Sequence, residues 1–243
     1  ICSNCGLVQS QKEKKQIKDK NKENKNTINF LSSDSDYSET RVGKQQMLPN
    51  TIKVLERNKN YMVSNPKILD MSSARGHFLE YISQYSNNDI VGFEQDNYMS
   101  ESYRQTKKYK ILNIDYRDYK EKETFDLIYS CHTLEHYSDP IMYLSFVSNH
   151  LNSDGLFLVD VPNLDKVNNG LVLDDFFYDK HRTYFEKRIL RYLFSLFCLD
   201  IVDMFESNSS LIVLARKSKE KNSIGIPEEN YTINKSNIDK YLQ

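Results

Sequence analysis

The sequence lacks tryptophan and contains little glycine, proline or cysteine, with 7 Gly, 5 Pro and 4 Cys in 243 residues. Four cysteines are too few for a disulfide framework in a chain of this length, which excludes the small disulfide-stabilised domains. No run approaches about 20 apolar residues, so neither a transmembrane helix nor a membrane partner is predicted. No basic and then apolar leader opens the chain, and we expect a cytoplasmic protein.

The sequence also has almost no net charge. The 33 basic and 34 acidic residues sum to a formal charge of -1, so the overall field does not attract a polyanion. Nucleic acid is therefore not an expected partner, and a small soluble substrate is favoured. Hydrophobic residues make up 39% of the chain, which is enough for a sizeable core in one domain with small appendages.

Composition divides the chain into five parts. The stretch 11–29 is almost wholly polar with mixed charges, which is typical of a flexible linker. The segment after it is predicted to contain a helix around Thr51–Arg57, and the tail is polar without a clear period and is expected to be loosely held. The parts are a cysteine-containing turn at 1–10, a charged linker at 11–29, an amino-terminal helical segment at 30–65, a folded domain at 66–216 and a polar tail at 217–243.

Strands and helices alternate through the folded domain. Strands are predicted at Lys67–Met71, Asp89–Glu94, Lys110–Asp115, Phe125–Ser130, Gly155–Val161, Asp200–Phe205 and Ser210–Ala215. Helices are predicted from Gly76, near Met99–Thr106, from Asp139 and from Phe185 to Leu196. The last two strands are joined by a connection too short for a crossover helix, so they form an antiparallel hairpin. The pattern predicts an α/β fold with a Rossmann-like, doubly wound, seven-stranded sheet that is mostly parallel.

The turn after the first strand is where a doubly wound sheet binds its ligand. In the turn Asp70–Gly76, small residues let the backbone approach a ligand, and the next helix begins with unpaired N–H groups that favour an anion. Acidic residues end the next two strands. The carboxylate of Glu94 is a suitable acceptor for both hydroxyls of a ribose, and that of Asp115 for an amine of adenine.

These segments resemble class I S-adenosylmethionine (SAM) dependent methyltransferases. The resemblance covers about 66–216 and rests on the runs ILDMSSARGHFL, VGFEQD, FDLIYSCHTLEHYSDP and LNSDGLFLVDVPN. It implies SAM as cofactor and S-adenosylhomocysteine as product. The candidate cofactor residues are Asp70, Ser72, Ala74, Gly76, Glu94, Gln95, Asp115, Tyr116 and Ser130. Replacing Glu94 by alanine is expected to weaken SAM binding strongly and to leave the fold intact.

The first turn departs from the family pattern. Members usually carry Asp-x-Gly-x-Gly-x-Gly, whereas this chain retains only the last glycine, as Gly76, and has Ser72 and Ala74 at the other two positions. A side chain there restricts positive backbone torsions and adds volume beside the ligand. One alternative is therefore a catalytically degenerate protein that keeps the methyltransferase fold for binding.

A histidine cluster follows the fourth strand and marks the reacting side. His132, Glu135 and His136, together with His181 after the fifth strand, are expected at the sheet edge that faces the ligand. Methyl transfer to a hydroxyl needs in-line placement and a proton acceptor, and histidine is the natural base near neutral pH. The same residues could instead coordinate a divalent metal, which resembles metal-assisted methyltransferases of quinone precursors and RNA 3′ ends. Alternatively, Glu135 and His136 only pin the loop.

Cys2 and Cys5 are spaced as one half of a zinc knuckle, a weak metal half-site without a second pair. The string CSNCGLVQ resembles the segment before the methyltransferase domain in bacterial enzymes that methylate nucleotide-linked sugars. That resemblance implies O-methylation of a sugar or sugar-derived intermediate in capsule or surface-polysaccharide biosynthesis, and a lid role for 30–65. The atom that is methylated (O, N or C) and the oligomeric state, with a homodimer as one option, stay open.

Overall fold

The computed structural model describes residues 1–10, 48–86, 89–96, 108–166, 180–207, 210–220, 224–225 and 230–241. The predicted linker at 11–29 and the predicted helix near Met99–Thr106 lie outside these residues. Nine strands occur in the described residues. They are β1 (Val8–Gln9), β2 (Ile68–Asp70), β3 (Ile90–Phe93), β4 (Lys110–Leu112), β5 (Phe125–Cys131), β6 (Leu151–Pro162), β7 (Thr183–Tyr184), β8 (Leu199–Glu206) and β9 (Ser210–Lys217).

Seven of these strands form one sheet in the order β4-β3-β2-β5-β6-β9-β8. Strands β2 to β6 pair in parallel, and β9 is antiparallel to both of its neighbours, β6 and β8. This confirms the predicted doubly wound sheet with a carboxyl-terminal antiparallel hairpin. The strand order reverses beside β2, with β3 on one side and β5 on the other, so the ligand crevice is expected at the carboxyl end of β2.

The helices begin where the sequence provides caps. The Asp139 side chain accepts a hydrogen bond from the Met142 N–H at 2.9 Å, with Pro140 in the first turn, and Glu186 caps the next helix by accepting from the Arg188 N–H at 3.3 Å. The α-helices are α1 (48–57), α2 (His77–Ile82), α3 (Pro140–His150), α4 (Lys187–Ser195) and α5 (Asn230–Tyr241). Short 3-10 helices occur at Lys59–Tyr61, Tyr116–Asp118, Leu134–His136 and Leu164–Lys166.

The core has two layers, one on each face of the sheet. Successive strand residues alternate between them: Leu69 belongs to the layer that contains α3 and α4, and Ile68 to the layer that contains α1 and α2. In α1, Val54 and Leu55 are buried in the second layer, and Arg57 is ion-paired with Asp203 of β8. Helix α1 is thus packed firmly onto the sheet, and the lid role of 30–65 stays a prediction.

The amino-terminal turn is attached to distant parts of the chain. Strand β1 pairs antiparallel with β7, with Val8 opposite Tyr184, and the Asn234 side chain of α5 donates to the Gly6 carbonyl at 2.9 Å. The tail therefore contains a helix at 230–241, whose buried Asn234 contacts the amino-terminal turn, and the sequence pattern did not indicate this helix. The pattern missed it because α5 has little amphipathic character and its buried asparagine finds its partner at the other end of the chain.

No helix in the described part of the chain is long and apolar enough to cross a membrane.

Candidate active site

The turn after β2 has left-handed backbones at two of the positions where the family pattern has glycine. Ala74 and Gly76 both have left-handed backbones, with φ of +48° and +73°, and the Gly76 N–H donates to the Ser73 carbonyl at 2.7 Å. A left-handed residue with a side chain costs about 1–2 kcal/mol relative to its right-handed form, so Ala74 is strained where the family has glycine. A Cβ at Gly76 would lie 2.9 Å from the Tyr109 hydroxyl, so both space and torsion favour glycine there.

Glu94 joins the end of β3 to this turn. It is 8% exposed; its Oε2 accepts from the Ala74 N–H at 2.8 Å and its Oε1 from the Asp96 N–H at 3.0 Å. Each carboxylate oxygen retains another lone pair for a ligand hydroxyl. Close packing of the turn against β3 also depends on Gly92, because a Cβ there would lie 2.7 Å from the Ser73 side chain.

Asp115 is the centre of a polar group beyond β4. It accepts from Gln95 Nε2 at 2.7 Å, from Arg117 Nε at 2.7 Å and from the Tyr137 hydroxyl at 3.2 Å. Burial opposes ionisation, but the hydrogen bonds from the Arg117 side chain and backbone outweigh it and lower the pKa of Asp115. Asp115 is therefore an anionic acceptor, placed next to the Gln95 amide.

Two of the candidate cofactor residues lie in the protein interior. Ser130 is fully buried in β5 and accepts a hydrogen bond from the Tyr143 hydroxyl at 2.8 Å. Tyr116 is 4% exposed and packs edge-on against Tyr137 and Tyr143, with ring centroids 5.0 Å apart in each pair. Both residues support the site from below, and direct contact with a cofactor remains a prediction for them.

A cavity of about 620 Å³ opens beside these groups; the residues that line it are of polar types, and their polar and apolar atoms contribute about equally to its walls. It extends from Gln95 and Arg117 past Ser72 to Thr133, His136 and Arg182, and its volume is typical of small-molecule sites. Ser72 also borders a small cavity of about 30 Å³ that contacts Asp70, Ala74 and Leu48 of α1. Six residues of the cavity wall were not predicted from the sequence: Ser10, Arg117, Thr133, Tyr137, Ser138 and Arg182.

Those residues differ in how far a sequence signal could have found them. Arg117 and Tyr137 lie just beyond strand ends, where ligand contacts are expected. Ser10 reaches the cavity only because its N–H donates to the Arg182 carbonyl at 3.0 Å, next to the β1–β7 pair. No local pattern predicts that contact.

His132 lies between two buried carboxylates. Its Nδ1 is 3.4 Å from Glu135 Oε1, and its Nε2 is 3.5 Å from Oδ1 of Asp160, a β6 residue that the sequence analysis missed. Burial lowers the pKa of His132, but the contacts with Asp160 and Glu135 dominate and raise it to about 9. The ring is therefore cationic at neutral pH and has no lone pair to accept a proton, which favours a positioning role for His132 over that of a base.

Glu135 brings the other predicted residues of the reacting side together. Its side chain is 1% exposed, and its Oε1 lies 3.8 Å from His181 Nε2 and 4.0 Å from His136 Nε2. Burial favours the neutral acid, but the contact with His132 prevails and lowers the pKa of Glu135. Its backbone carbonyl accepts from the Arg182 N–H at 2.6 Å, which fixes the segment 180–182 against the helix Leu134–His136.

His136 faces the cavity from this cluster. Its side chain is 39% exposed, and its Nδ1 lies 3.2 Å from the Lys180 carbonyl. A carbonyl oxygen can only accept, so Nδ1 carries a hydrogen, and Nε2 is the ring nitrogen on the side of Glu135. The structure thus brings all four residues of the reacting side together, with His136 at the cavity wall.

Cys2 and Cys5 lie in a tight turn that is closed by the Gly6 N–H donating to the Cys2 carbonyl at 2.9 Å. Hydrogen bonds from the backbone of Cys5 and Asn4 lower the pKa of the Cys2 thiol. Within the described residues, no third His, Cys, Asp or Glu completes a group of ligands with this pair. The zinc half-site stays a prediction.

The family model described as "Methyltransferase domain" matches residues 42–203, more than half of the chain. The chain belongs to this family. The protein is a SAM-dependent methyltransferase, as the resemblance of its motifs implied, and SAM is its cofactor. No curated protein sequence matches this methyltransferase significantly.

Solved structures of other methyltransferases share the fold at low identity. The 1,6-didemethyltoxoflavin-N1-methyltransferase of Burkholderia thailandensis, with bound 1,6-didemethyltoxoflavin and S-adenosylhomocysteine, matches with a TM-score of 0.62 at 15% identity, over 88% of this chain and 95% of that one. A SAM-dependent methyltransferase of Clostridium acetobutylicum matches with a TM-score of 0.59 at 17% identity, over 75% of this chain and 99% of that one. Magnesium protoporphyrin IX methyltransferase of Synechocystis, with bound SAM, matches with a TM-score of 0.55 at 13% identity, over 74% of this chain and 83% of that one. These similarities establish the fold and leave the acceptor undetermined.

Proposed function

We propose that this methyltransferase transfers a methyl group to a hydroxyl oxygen of a polar, phosphate-bearing acceptor, most simply a nucleotide-linked sugar used in capsule or surface-polysaccharide biosynthesis. The observation that carries the proposal is the cavity of about 620 Å³, whose walls are hydroxyl, amide, imidazole and guanidinium groups. A flat apolar acceptor such as a quinone precursor would favour aromatic and aliphatic walls.

The cofactor side of the proposal uses groups that fit SAM. Glu94 and Asp115 follow β3 and β4, which supports assigning Glu94 to the ribose hydroxyls and Asp115 with Gln95 to the adenine edge. An adenine amine would there replace one of the donors that Asp115 binds, which include Gln95 and Tyr137. Ser72 lines both the small cavity and the large one, and Asp70 lines the small one. SAM supplies a methyl group on a positively charged sulfur, and the junction at Ser72 is the proposed place of transfer.

The acceptor side of the proposal rests on Arg182. Its backbone is held twice, by its N–H donating to the Glu135 carbonyl and by its carbonyl accepting from the Ser10 N–H. Its side chain lines the cavity and has no ion-pair partner among the residues that the structure describes. A guanidinium whose backbone is anchored at a cavity wall is suited to a phosphate group, which it can bind through two parallel hydrogen bonds.

Activation of the acceptor hydroxyl falls to the group formed by Glu135, His136 and His181. An alcohol is a poor nucleophile until its proton is removed or shared. Among these residues His136 reaches the cavity, and Glu135 holds a negative charge directly behind it. The arrangement favours oxygen over nitrogen as the methylated atom, since an amine needs less help to lose its proton.

The test is a methyl-transfer assay with the full chain, SAM and a panel of uridine-, thymidine- and guanosine-diphosphate sugars, followed by mass spectrometry. We expect a nucleotide sugar to gain the mass of one methylene. The Arg182→Ala variant should raise KM for that sugar about tenfold, the equivalent of about 1.4 kcal/mol of a lost phosphate contact, and should leave KM for SAM unchanged.

Two results would contradict the proposal. Methylation of RNA or of a phenol, and of no nucleotide sugar, would replace the acceptor class. Absence of S-adenosylhomocysteine binding by calorimetry would support a degenerate binding protein that retains only the fold.

A further inference from the structure

We propose that Glu135, His136 and His181 form a binding site for one divalent transition-metal ion in the wall of the large cavity. The binding itself is independent of the acceptor class. Only the role given to the metal below rests on the proposed function.

The three side chains converge closely enough to share one ion. One ligand atom from each lies within 4.8 Å of the others, and the two Nε2 atoms are 3.8 and 4.0 Å from the same Glu135 oxygen. Ligands that bind one ion at about 2.0–2.2 Å are themselves about 3.0–3.6 Å apart. Movements of less than about 1 Å, within the reach of small side-chain rotations, would bring all three ligands to bonding distance.

The carboxylate of Glu135 gives independent evidence for a cation-binding site. The side chain is 1% exposed, and neither of its oxygens has a hydrogen-bond partner. A buried carboxylate without hydrogen bonds costs several kcal/mol. The ion pair with His132 neutralises part of that charge. The Nε2 atoms of His136 and His181 lie near the same oxygen.

The hydrogen bond of His136 points in the same direction. Nδ1 donates to the Lys180 carbonyl, and Nε2 lies 4.0 Å from Glu135 Oε1, beyond hydrogen-bond distance. A metal-bound histidine has this same backing, in which the other ring nitrogen donates to a backbone carbonyl and fixes the ring. The space between Nε2 and the carboxylate is where a shared cation would bind both.

The donor set selects the class of ion. Two imidazoles and one carboxylate suit Zn²⁺, Mn²⁺, Co²⁺ or Ni²⁺ better than Mg²⁺ or Ca²⁺, which prefer oxygen ligands. Three protein ligands leave coordination positions open, and His136 at the cavity wall places those positions toward the acceptor. The ligand set also differs from the one expected from sequence, because His132 is directed at Glu135 and Asp160.

In the reaction, the ion would hold the acceptor oxygen and lower the pKa of its hydroxyl. The O–H bond breaks and the proton leaves to water. The oxygen then forms a bond to the methyl carbon while the carbon–sulfur bond breaks, and its electron pair stays on sulfur to give S-adenosylhomocysteine. No oxidant or reductant is needed.

The test measures metal binding to the full chain in the absence of SAM and acceptor. The protein is stripped with a chelator and titrated with Zn²⁺, Mn²⁺ and Co²⁺ by calorimetry, and the Co²⁺ form is examined by visible absorption. A Cys2→Ser, Cys5→Ser background removes binding by the amino-terminal pair. We expect one ion per chain in this background, with His136→Gln and Glu135→Gln each lowering the affinity about tenfold or more.

His150→Gln is the matched control, because His150 lies outside the cluster and hydrogen-bonds backbone carbonyls at 2.8 and 3.3 Å. It should leave the affinity unchanged. If Glu135→Gln fails to fold, the more exposed His136 still decides the question. Absence of binding in the cysteine-free background, or equal binding by His136→Gln, would overturn the metal site. A bound ion without methylation of nucleotide sugars would contradict only the proposed acceptor.

Discussion

Replacement of Glu94 by alanine tests whether one carboxylate supports both the turn and the cofactor. The side chain accepts from the N–H groups of Ala74 and Asp96, and Ala74 is itself buried. A hydrogen bond to a charged group contributes about 1.5–3 kcal/mol. Water can replace the carboxylate at the less buried Asp96 N–H, so we expect a net loss of about 2–3 kcal/mol in the free energy of unfolding.

For a chain of this size, that loss lowers Tm by about 5–10 °C, since about 1 kcal/mol corresponds to about 2–4 °C. The variant should therefore still fold, as the sequence predicts, but with a lower stability than wild type. Loss of the acceptor for the ribose hydroxyls should cost a similar free energy, which weakens S-adenosylhomocysteine binding about 30- to 150-fold. Thermal unfolding and calorimetric titration measure the two effects separately.

Glu94→Gln is the matched variant, because the amide keeps the volume and one acceptor oxygen. It should lose about half as much Tm as the alanine variant and still bind the ligand more weakly than wild type. An unchanged Tm in Glu94→Ala would refute the anchoring of the turn by this side chain. An unchanged Kd would remove Glu94 from the cofactor site.

Three further variants test local features of the site. Ala74→Gly should raise the free energy of unfolding by about 0.5–1 kcal/mol, because relief of about 1–2 kcal/mol at φ of +48° exceeds the entropic cost of glycine; a lower Tm would contradict this. Gly92→Ala should destabilise the protein by about 1–3 kcal/mol, since its Cβ would lie 2.7 Å from Ser73. Equal midpoints of urea unfolding for the variant and the wild type would show that the turn moves away from the added Cβ without cost. His132→Gln leaves two buried carboxylates without their cation and should cost about 3 kcal/mol in chelator-treated protein below pH 6.5. Because the folded pKa of His132 is raised to about 9, its stabilising effect is complete below the unfolded pKa and fades as the pH rises through 9; a cost that is the same at pH 6 and pH 10 would exclude this reasoning.

Much of the fold was predictable because it is encoded by local periodicity. The nearly continuous apolar run Phe125–Cys131 predicts a strand that is buried on both faces, and Asp139 before Pro140 is a typical helix start. The short connection before Ser210 leaves only a hairpin for the last two strands. The predicted cofactor-site residues Glu94 and Asp115 also follow from position, because the carboxyl ends of parallel strands meet at one edge.

The sequence by itself thus determined the chain order of the sheet strands and the methyltransferase family, and it predicted the edge of the sheet at which the ligand should bind. Tertiary structure alone decided which groups act on one another there. It placed the cation of His132 against Asp160, buried Ser130 beneath Tyr143, and brought Ser10 to Arg182 through the pairing of β1 with β7. Periodicity reports the face on which a residue lies, whereas its charge state and its partners depend on groups from distant segments, which only the folded chain brings within a few ångströms.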